Sequence, residues 1–583
     1  MKLSDYVFSF LAGKKIDTVF YLAGGGCMHL LDSLGSNNDI NSICLLHEQA
    51  VAVACEAYAN TKGSPGAALI TTGPGGTNTV TGVLASYLDS SPCFFISGQV
   101  KTADLKSRFG VRTHGSQEAD IVSIVSSITK YAVLVTDKNT IRYHLEKAWH
   151  EMTTGRKGPV WIDIPLDIQG AQIEPDELNG FSPDINEKIP VDVSVIINAI
   201  NRKKRPVIIA GNGMSGCKDK FRQLQEFLQI PVIPTWKAMD YIPNSHPLYA
   251  GRAGGMGDRY GNLAMQNSDL LISFGSRLDF SITGFNRSEW AAKAEKIIID
   301  IDKCEISKLQ GAENIIPVIA DVSDVLDSLL ERKNEIKLPD ISGWKTKISG
   351  WKERYPLTVN SANLTTYHFI NELCKQLPQG AYVAPCSSGT TAEIFFQAFN
   401  VKPDQVIRSN HGLGSMGFEI PNAVGMCAAS GFKDVVCIAG DGGMQLNIQE
   451  LAIIRGRNLP VKIFAVNNSG YASIRNMQNN HFQGRFTGCD EGSGLFLPDV
   501  KSLASAYGLP FFRIDKTESL EETIKQALQT QGPAMCEIVV DKECFLILRT
   551  AAKVMPDGSM RSSPLENQYP FLSDEEVERN KLA

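Results

Sequence analysis

The sequence predicts an α/β chain of three doubly wound parallel-sheet domains. Two observations carry the prediction. Short apolar runs alternate with helical stretches throughout the 583 residues, and alternation of that kind builds parallel sheets with crossover helices. Polar or charged segments then divide the chain into blocks of ordinary domain size, at about 1–175, 190–330 and 358–545, followed by a tail over 546–583.

In the first block Thr18-Val19-Phe20-Tyr21-Leu22, Ala67-Ala68-Leu69-Ile70 and Cys93-Phe94-Phe95-Ile96 read as strands, and the run from Gly158 to Pro165 closes it. A linker rich in Asp, Glu and Pro, from about Glu174 to Pro190, marks a boundary. The second block has strands near Pro206-Val207-Ile208-Ile209, Leu270-Leu271-Ile272-Ser273 and Ile297-Ile298-Ile299. Gly211-Asn212-Gly213-Met214-Ser215-Gly216 follows the first of these and fits GxGxxG, which raises hydride transfer with NAD. The acid that NAD binding needs at the end of the next strand is missing, since Pro231-Val232-Ile233-Pro234 leads into Thr235, Trp236 and Lys237. A charged stretch from Leu330 to Tyr355 leads into the third block. The tail carries Pro556, Pro564 and Pro570 and reads as extended chain over the surface.

The third block holds the most specific pattern. Gly440-Asp441-Gly442-Gly443 ends one apolar run, Val435–Ala439, and Asn467-Asn468-Ser469-Gly470-Tyr471 ends another, Val461–Val466. Gln449–Arg455 between them is helical in pattern. A strand, crossover helix and parallel strand put both clusters at neighbouring carboxyl ends, where open α/β sheets bind ligands. Asp441, Asn468 and the carbonyl of Gly470 would offer hard oxygens to Mg²⁺, which favours octahedral oxygen coordination shared with phosphates. Amides opening the helix after Gly442 would add anion binding.

Bulk composition narrows the partners. A net charge of −6 gives no electrostatic reason to expect nucleic acid or an anionic membrane. The segment from Met1 is interrupted by Lys14 and Lys15 and lacks a signal-peptide core, and no apolar run is long enough to span a bilayer. The thirteen cysteines are scattered without a CxxC pair, so reduced thiols in a cytoplasm are expected.

The GDG cluster followed at this interval by NN resembles the signature of the thiamine diphosphate (ThDP) enzymes, and the likeness extends along nearly the whole chain. It implies pyrimidine-binding, central and diphosphate-binding domains in that order. Leu45-Leu46-His47-Glu48-Gln49-Ala50 matches the family's HEQ segment, which assigns Glu48 to activate the cofactor by bonding its pyrimidine ring. The plain alternative for Glu48 is a first-turn acid facing its own helix dipole. Thr72-Gly73-Pro74-Gly75-Gly76-Thr77-Asn78 looks like the glycine-rich turn beside the pyrimidine, so Gly25, Gly75 and Asn78 become cofactor contacts by resemblance. Gly412-Leu413-Gly414-Ser415-Met416-Gly417 is similar to the segment that bends the cofactor, with Met416 as the wedge and Gly414 offering its carbonyl. Ser388, Gly389 and Thr390 sit where relatives contact the diphosphate, although the relatives' usual glutamine and histidine are replaced. Gly440, Gly442, Gly443 and Tyr471 complete the cofactor set, and Asp441, Asn468 and Gly470 the metal set. Gln117 resembles the side chain near the reacting carbonyl; a surface polar residue opening a helix is the alternative.

Likeness is greatest to acetolactate synthases and related carboligases. It implies decarboxylation of pyruvate or a close 2-oxo acid and transfer of the two-carbon unit to a carbonyl acceptor. It also implies a homodimer at minimum, commonly a homotetramer, because each site takes Glu48 from one chain and the diphosphate from another. The synthases hold FAD in their central domain. Here Arg252, Asp300, Asp302 and Asp321 lie where such contacts would arise, with a vestigial pocket as the alternative. Two departures fall on the acceptor side. Arg277-Leu278-Asp279-Phe280-Ser281-Ile282-Thr283-Gly284 puts Ser281 in place of the arginine that binds the acceptor carboxylate, and Asn476-Met477-Gln478 puts Met477 in place of a tryptophan. A keto sugar, nucleotide-linked or free, therefore becomes the expected acceptor. Acetolactate synthesis using Arg475 or Arg112, simple 2-oxo acid decarboxylation and a non-enzymatic scaffold are the alternatives. Glu419 departs from the uncharged residue of many relatives and receives no role from the sequence, nor do His29 and His114.

Overall fold

The computed structural model describes residues 1–183, 190–554 and 557–582. Residues 184–189 of the expected linker and Pro556 of the tail lie outside them. The chain divides into two compact units. One holds the segment before the linker together with Ala381–Thr391 and Arg408–Val539; the other holds the segment from beyond the linker to Gly380, Ala392–Ile407 and the C-terminal region.

In the first unit one sheet runs Asn41–Cys44, Thr18–Tyr21, Gly66–Ile70, Cys93–Gln99, Val160–Pro165 and Tyr131–Leu134, all parallel. Every residue of Gly66–Ile70 and Cys93–Gln99 is buried, as happens when helices cover both faces of a parallel sheet. A second sheet in the same unit runs Tyr382–Pro385, Val435–Gly440, Val461–Asn467, Ala534–Val539 and Phe511–Ile514, again parallel. Its connection order repeats that of the last five strands of the first. The first and third blocks thus share one topology.

The helices Glu48–Lys62 and Glu419–Ala429 join the two sheets in this unit. Both are buried nearly end to end, with small residues at the contact. A Cβ at Gly425 would overlap the Ala54 carbonyl, so glycine permits a backbone approach that no other residue allows there.

The second unit is built on a parallel sheet ordered Ile315–Ile319, Glu295–Asp300, Leu270–Phe274, Pro206–Ala210 and Val232–Pro234. The expectation for the tail needs correction here, and the charged stretch takes a definite structure. The charged stretch from Leu330 contains the helix Ser342–Arg354. Trp344 and Trp351, seven residues apart, share its inner face and are 4% and 2% exposed; their indoles donate to Pro206 O and Asn580 Oδ1 at 3.0 and 2.9 Å. The lysines between them masked that stripe. The tail is not simply extended either. It pairs Ala552–Val554 with Met560–Ser562 and ends in the helix Asp574–Asn580, capped by Ser573. Among the described residues no helix is long and apolar enough to cross a membrane.

Candidate active site

Strand register assembles the GDG and NN clusters. Gly440 pairs with Val466, and Asp441 donates its amide to Val466 O at 3.0 Å, so the two turns leave the sheet side by side. The Asp441 carboxylate is buried and accepts from the Gly442 and Gly470 amides at 2.8 and 2.9 Å. Burial raises it to about 6, and those amides pull in the opposite direction. Asn468 is also buried, and its Oδ1 has no hydrogen-bond partner. A buried amide oxygen left unpaired is costly, and a cation shared with Asp441 would satisfy it. Among the described residues no cluster of three His, Cys, Asp or Glu could hold a metal, so a site here would draw on one carboxylate, one amide oxygen and the Gly470 carbonyl. That donor set fits Mg²⁺.

The surrounding turns make room for a diphosphate. A side chain at Gly442 would overlap the Tyr471 ring, whereas Gly440 faces open space. A 3-10 helix over Gly443–Glu450 starts directly after the turn and passes into Leu451–Gly456. Ser388 Oγ is buried without a partner, beside Gly389 at φ 81° and buried Thr390 at the start of the helix that opens at Gly389. These groups fit a phosphate. Replacement of Asp441 by alanine should abolish cofactor-dependent stabilisation. In thermal or chemical unfolding, about 2.7 kcal/mol is expected for the native protein at a hundredfold excess of ThDP over Kd, and almost none for the variant. An equal gain in both would remove Asp441 from the metal site.

The loop with Gly414 and Met416 packs onto the same helix. Asn447 donates to Gly417 O at 2.8 Å, and a Cβ at Gly417 would stand 2.6 Å from Leu446 Cβ. Met416 is half-buried and Gly414 has φ 68°. The other end of this loop is tied down by a buried cluster that sequence reasoning missed. Asn410 donates to Asp89 Oδ2 at 2.8 Å and to Glu56 at 3.2 Å, while the Gly412 amide donates to Asp89 Oδ1 at 2.9 Å.

Glu48 opens its helix, 8% exposed, and accepts from Asn78 Nδ2 at 3.0 Å. The side chain of His47 caps the same helix by accepting from the Gln49 amide. Gly75 lies in the turn Pro74–Asn78, and a Cβ there would stand 2.8 Å from Thr71 Cγ2. Gln117 sits next to this turn with an exposed side chain and φ 60°, and a Cβ at Gly73 would overlap its carbonyl. Glu118 shapes the loop by accepting the amides of Lys106, His114 and Gly115. Gly25 is in a 3-10 turn facing open space. The structure therefore brings Glu48, Asn78, Gly75 and Gln117 together beyond the carboxyl ends of strands of the first sheet. It gathers Asp441, Asn468, Gly470, Tyr471, Gly414 and Met416 beyond those of the second.

The acceptor-side residues can be followed one by one. Ser281 is held by Asp279, which caps the short helix Phe280–Thr283 and lies 3.4 Å from Arg277. Met477 is 40% exposed on the helix Ala472–Phe482. Arg475, considered as a binder of the acceptor carboxylate, is instead buried and donates to the carbonyls of Asn468 and Ser469 at 2.9 and 3.1 Å. It holds the metal-side loop. Arg112 is exposed.

The four residues behind the FAD expectation divide. Arg252 is 3% exposed, with its amide on Asp258 and Nη2 on Gln397 O, while its Nε and Nη1 have no hydrogen-bond partner. Asp302 and Asp321 cap helices, and Asp300 accepts from the Asp302 amide. The GxGxxG glycines Gly211 and Gly213 serve close packing, since a Cβ on either would run into the Gly275 backbone.

Residues 1–124 match the N-terminal TPP binding domain of the thiamine pyrophosphate enzymes, 193–329 their central domain and 387–538 their C-terminal TPP binding domain. The acetolactate synthase large subunit of Corynebacterium glutamicum is 32% identical, covering 96% of this chain and 90% of that protein. That of Lactococcus lactis is 31% identical over 92% of each chain, and the chloroplastic acetolactate synthase of Arabidopsis thaliana 32% over 92% of this chain and 81% of its own. The chain belongs to the thiamine diphosphate-dependent enzymes, among the relatives of acetolactate synthase.

Proposed function

We propose that this enzyme is a Mg²⁺-dependent carboligase that decarboxylates pyruvate or a close 2-oxo acid and delivers the two-carbon unit to a carbonyl acceptor lacking a carboxylate. The observation that carries the cofactor half is the buried, unpartnered Asn468 Oδ1 beside the amide-bound Asp441. Bound thiamine diphosphate would supply the electron sink for loss of CO2. Asp441, Asn468 and the Gly470 carbonyl would hold the metal, with Ser388 and the amides near Gly389 and Gly443 on the diphosphate. Glu48 would hold a proton against the pyrimidine ring, its far oxygen kept in place by Asn78. Met416 would orient the two rings, and Gln117 would face the reacting carbonyl.

Ser281 and Met477 support the acceptor half. Serine in place of a carboxylate-binding arginine forfeits charge-assisted hydrogen bonds of roughly 1.5–3 kcal/mol each. A neutral acceptor such as a keto sugar, free or nucleotide-linked, loses nothing by the change. The same reading takes the working unit to be a homodimer or homotetramer in the cytoplasm. A second reading, acetolactate formation from two 2-oxo acids, rests on the 31–32% identity to the synthases. It needs another cation for the acceptor carboxylate; Arg475 is already engaged, which leaves the exposed Arg112.

Incubation with pyruvate, ThDP and Mg²⁺ against a panel of aldehydes, oxo acids and keto sugars, with products read by mass, separates the two. A two-carbon adduct of a neutral acceptor, formed faster than acetolactate, is the expected result. Acetolactate as the main product from pyruvate alone defeats the neutral-acceptor proposal.

A further inference from the structure

A second carboxylate, outside the metal and cofactor sets, meets the chain immediately before Glu48. Glu450 is wholly buried at the end of the 3-10 helix that begins at Gly443. The Leu46 amide donates to both its oxygens, at 3.1 and 3.2 Å, and the His47 amide is turned toward the same carboxylate. Backbone bookkeeping shows why this matters. The Leu45 amide still belongs to the sheet, donating to Tyr21 O, and the Gln49 amide is taken by the His47 side chain. From Val51 onward the helix satisfies its own amides. Leu46 and His47 lie between these regimes, where neither strand nor helix supplies an acceptor. Glu450 fills that gap from a different part of the sequence.

A second tie runs parallel to it. Asn447 departs from helical geometry, with φ −138° and ψ 31°. Its amide group lies 2.8 Å from Gly417 O and 3.4 Å from Gln49 Oε1. One short segment therefore starts at the diphosphate turn, grips the loop carrying Met416 and ends on the two residues that precede Glu48.

We propose that Glu450 is a positioning residue that fixes the direction of the Glu48 side chain by binding the Leu46 and His47 amides. The inference rests on the activating role given to Glu48 under Proposed function. Misplacement of a reacting group by about 1 Å can cost on the order of a hundredfold in rate, and loss of supporting partners in metal sites typically costs roughly 10–100-fold.

Hydrogen exchange read by mass on the apoprotein, together with steady-state kinetics, tests it. In Glu450→Ala the amides of Leu46 and His47 should exchange at least roughly tenfold faster, while those of 51–59 keep their protection. Its kcat should fall roughly 10–100-fold, with the pyruvate KM and ThDP affinity within about twofold of native. Glu450→Gln retains one acceptor oxygen and should fall between the two. Unchanged exchange at residues 46 and 47, or kcat within twofold of native in the alanine variant, overturns the proposal. A loss of activity due wholly to weaker ThDP binding overturns it too. Failure of the underlying reading looks different: native protein without ThDP uptake, or Glu48→Gln with full activity.

Discussion

On the proposed function, replacing Glu48 with glutamine is expected to lower the rate of pyruvate decarboxylation by roughly 100–10,000-fold, the usual contribution of a positioned acid–base group, with ThDP and Mg²⁺ affinity retained. Glutamine keeps the size of the side chain and can still bond Asn78, which lies 3.0 Å from Glu48 Oε2. What it loses is the ability to take up and release a proton. The metal set Asp441, Asn468 and Gly470 is untouched, so cofactor affinity measured by fluorescence quenching or calorimetry should stay within a few-fold of native. A variant that decarboxylates pyruvate at the native rate would return Glu48 to the bland role of a first-turn acid on its helix. One that fails to bind ThDP would make Glu48 a structural part of the cofactor site.

Much of this site was legible because its elements are local in sequence. The clusters at Asp441 and Asn468 each end an apolar run, and parallel pairing of those runs forces the clusters together. Glu48 was singled out by resemblance of its HEQ segment, because a first-turn acid after a strand is by itself an ordinary helix opener. The residues that were missed act over long distances along the chain. Glu450 meets Leu46 across 404 positions and Asn410 meets Glu56 across 354, and no local pattern reports such a pairing. Arg475 was misjudged because a lone arginine on a helix looks available. Its engagement by the Asn468 and Ser469 carbonyls depends on how the loop turns back. The helix Ser342–Arg354 was hidden by lysine and arginine on its outer face, although its two tryptophans keep a seven-residue spacing. Elements whose identity rests on packing from elsewhere are those that a single sequence conceals.

Glu419 supplies the other large effect, and its sign is unusual for an acidic residue. It lies 1% exposed at the start of the helix Glu419–Ala429, and its Oε1 has no hydrogen-bond partner. Gly443 gives it room, since an added Cβ would stand only 3.2 Å from that oxygen. Burial raises the carboxyl from 4.5 to about 7. A group with a raised folded pKa favours the folded state when protonated, so its stability is intact below about 4.5 and is lost as pH rises through 7. With 1.36 kcal/mol per unit, the full deficit above that range is about 3 kcal/mol. Glu419→Gln removes the charge and should therefore be more stable than the native apoprotein by about 3 kcal/mol at pH 8 and by only about 0.8 kcal/mol at pH 5. Other buried acids, such as Asp163 and Glu450, titrate near the same range. The measurement is accordingly the difference between variant and native unfolding free energies at each pH, in which their contributions cancel. A difference that stays flat from pH 5 to 8, or a variant less stable at pH 8, would mean that the ionised carboxylate is stabilised where it lies. The physical consequence reaches the site itself. Below about pH 7 a protonated Glu419 beneath the Gly443 turn keeps a second negative charge away from the amides that would receive the diphosphate, so the same burial that costs stability at high pH suits an anion-binding turn on the acid side of neutrality.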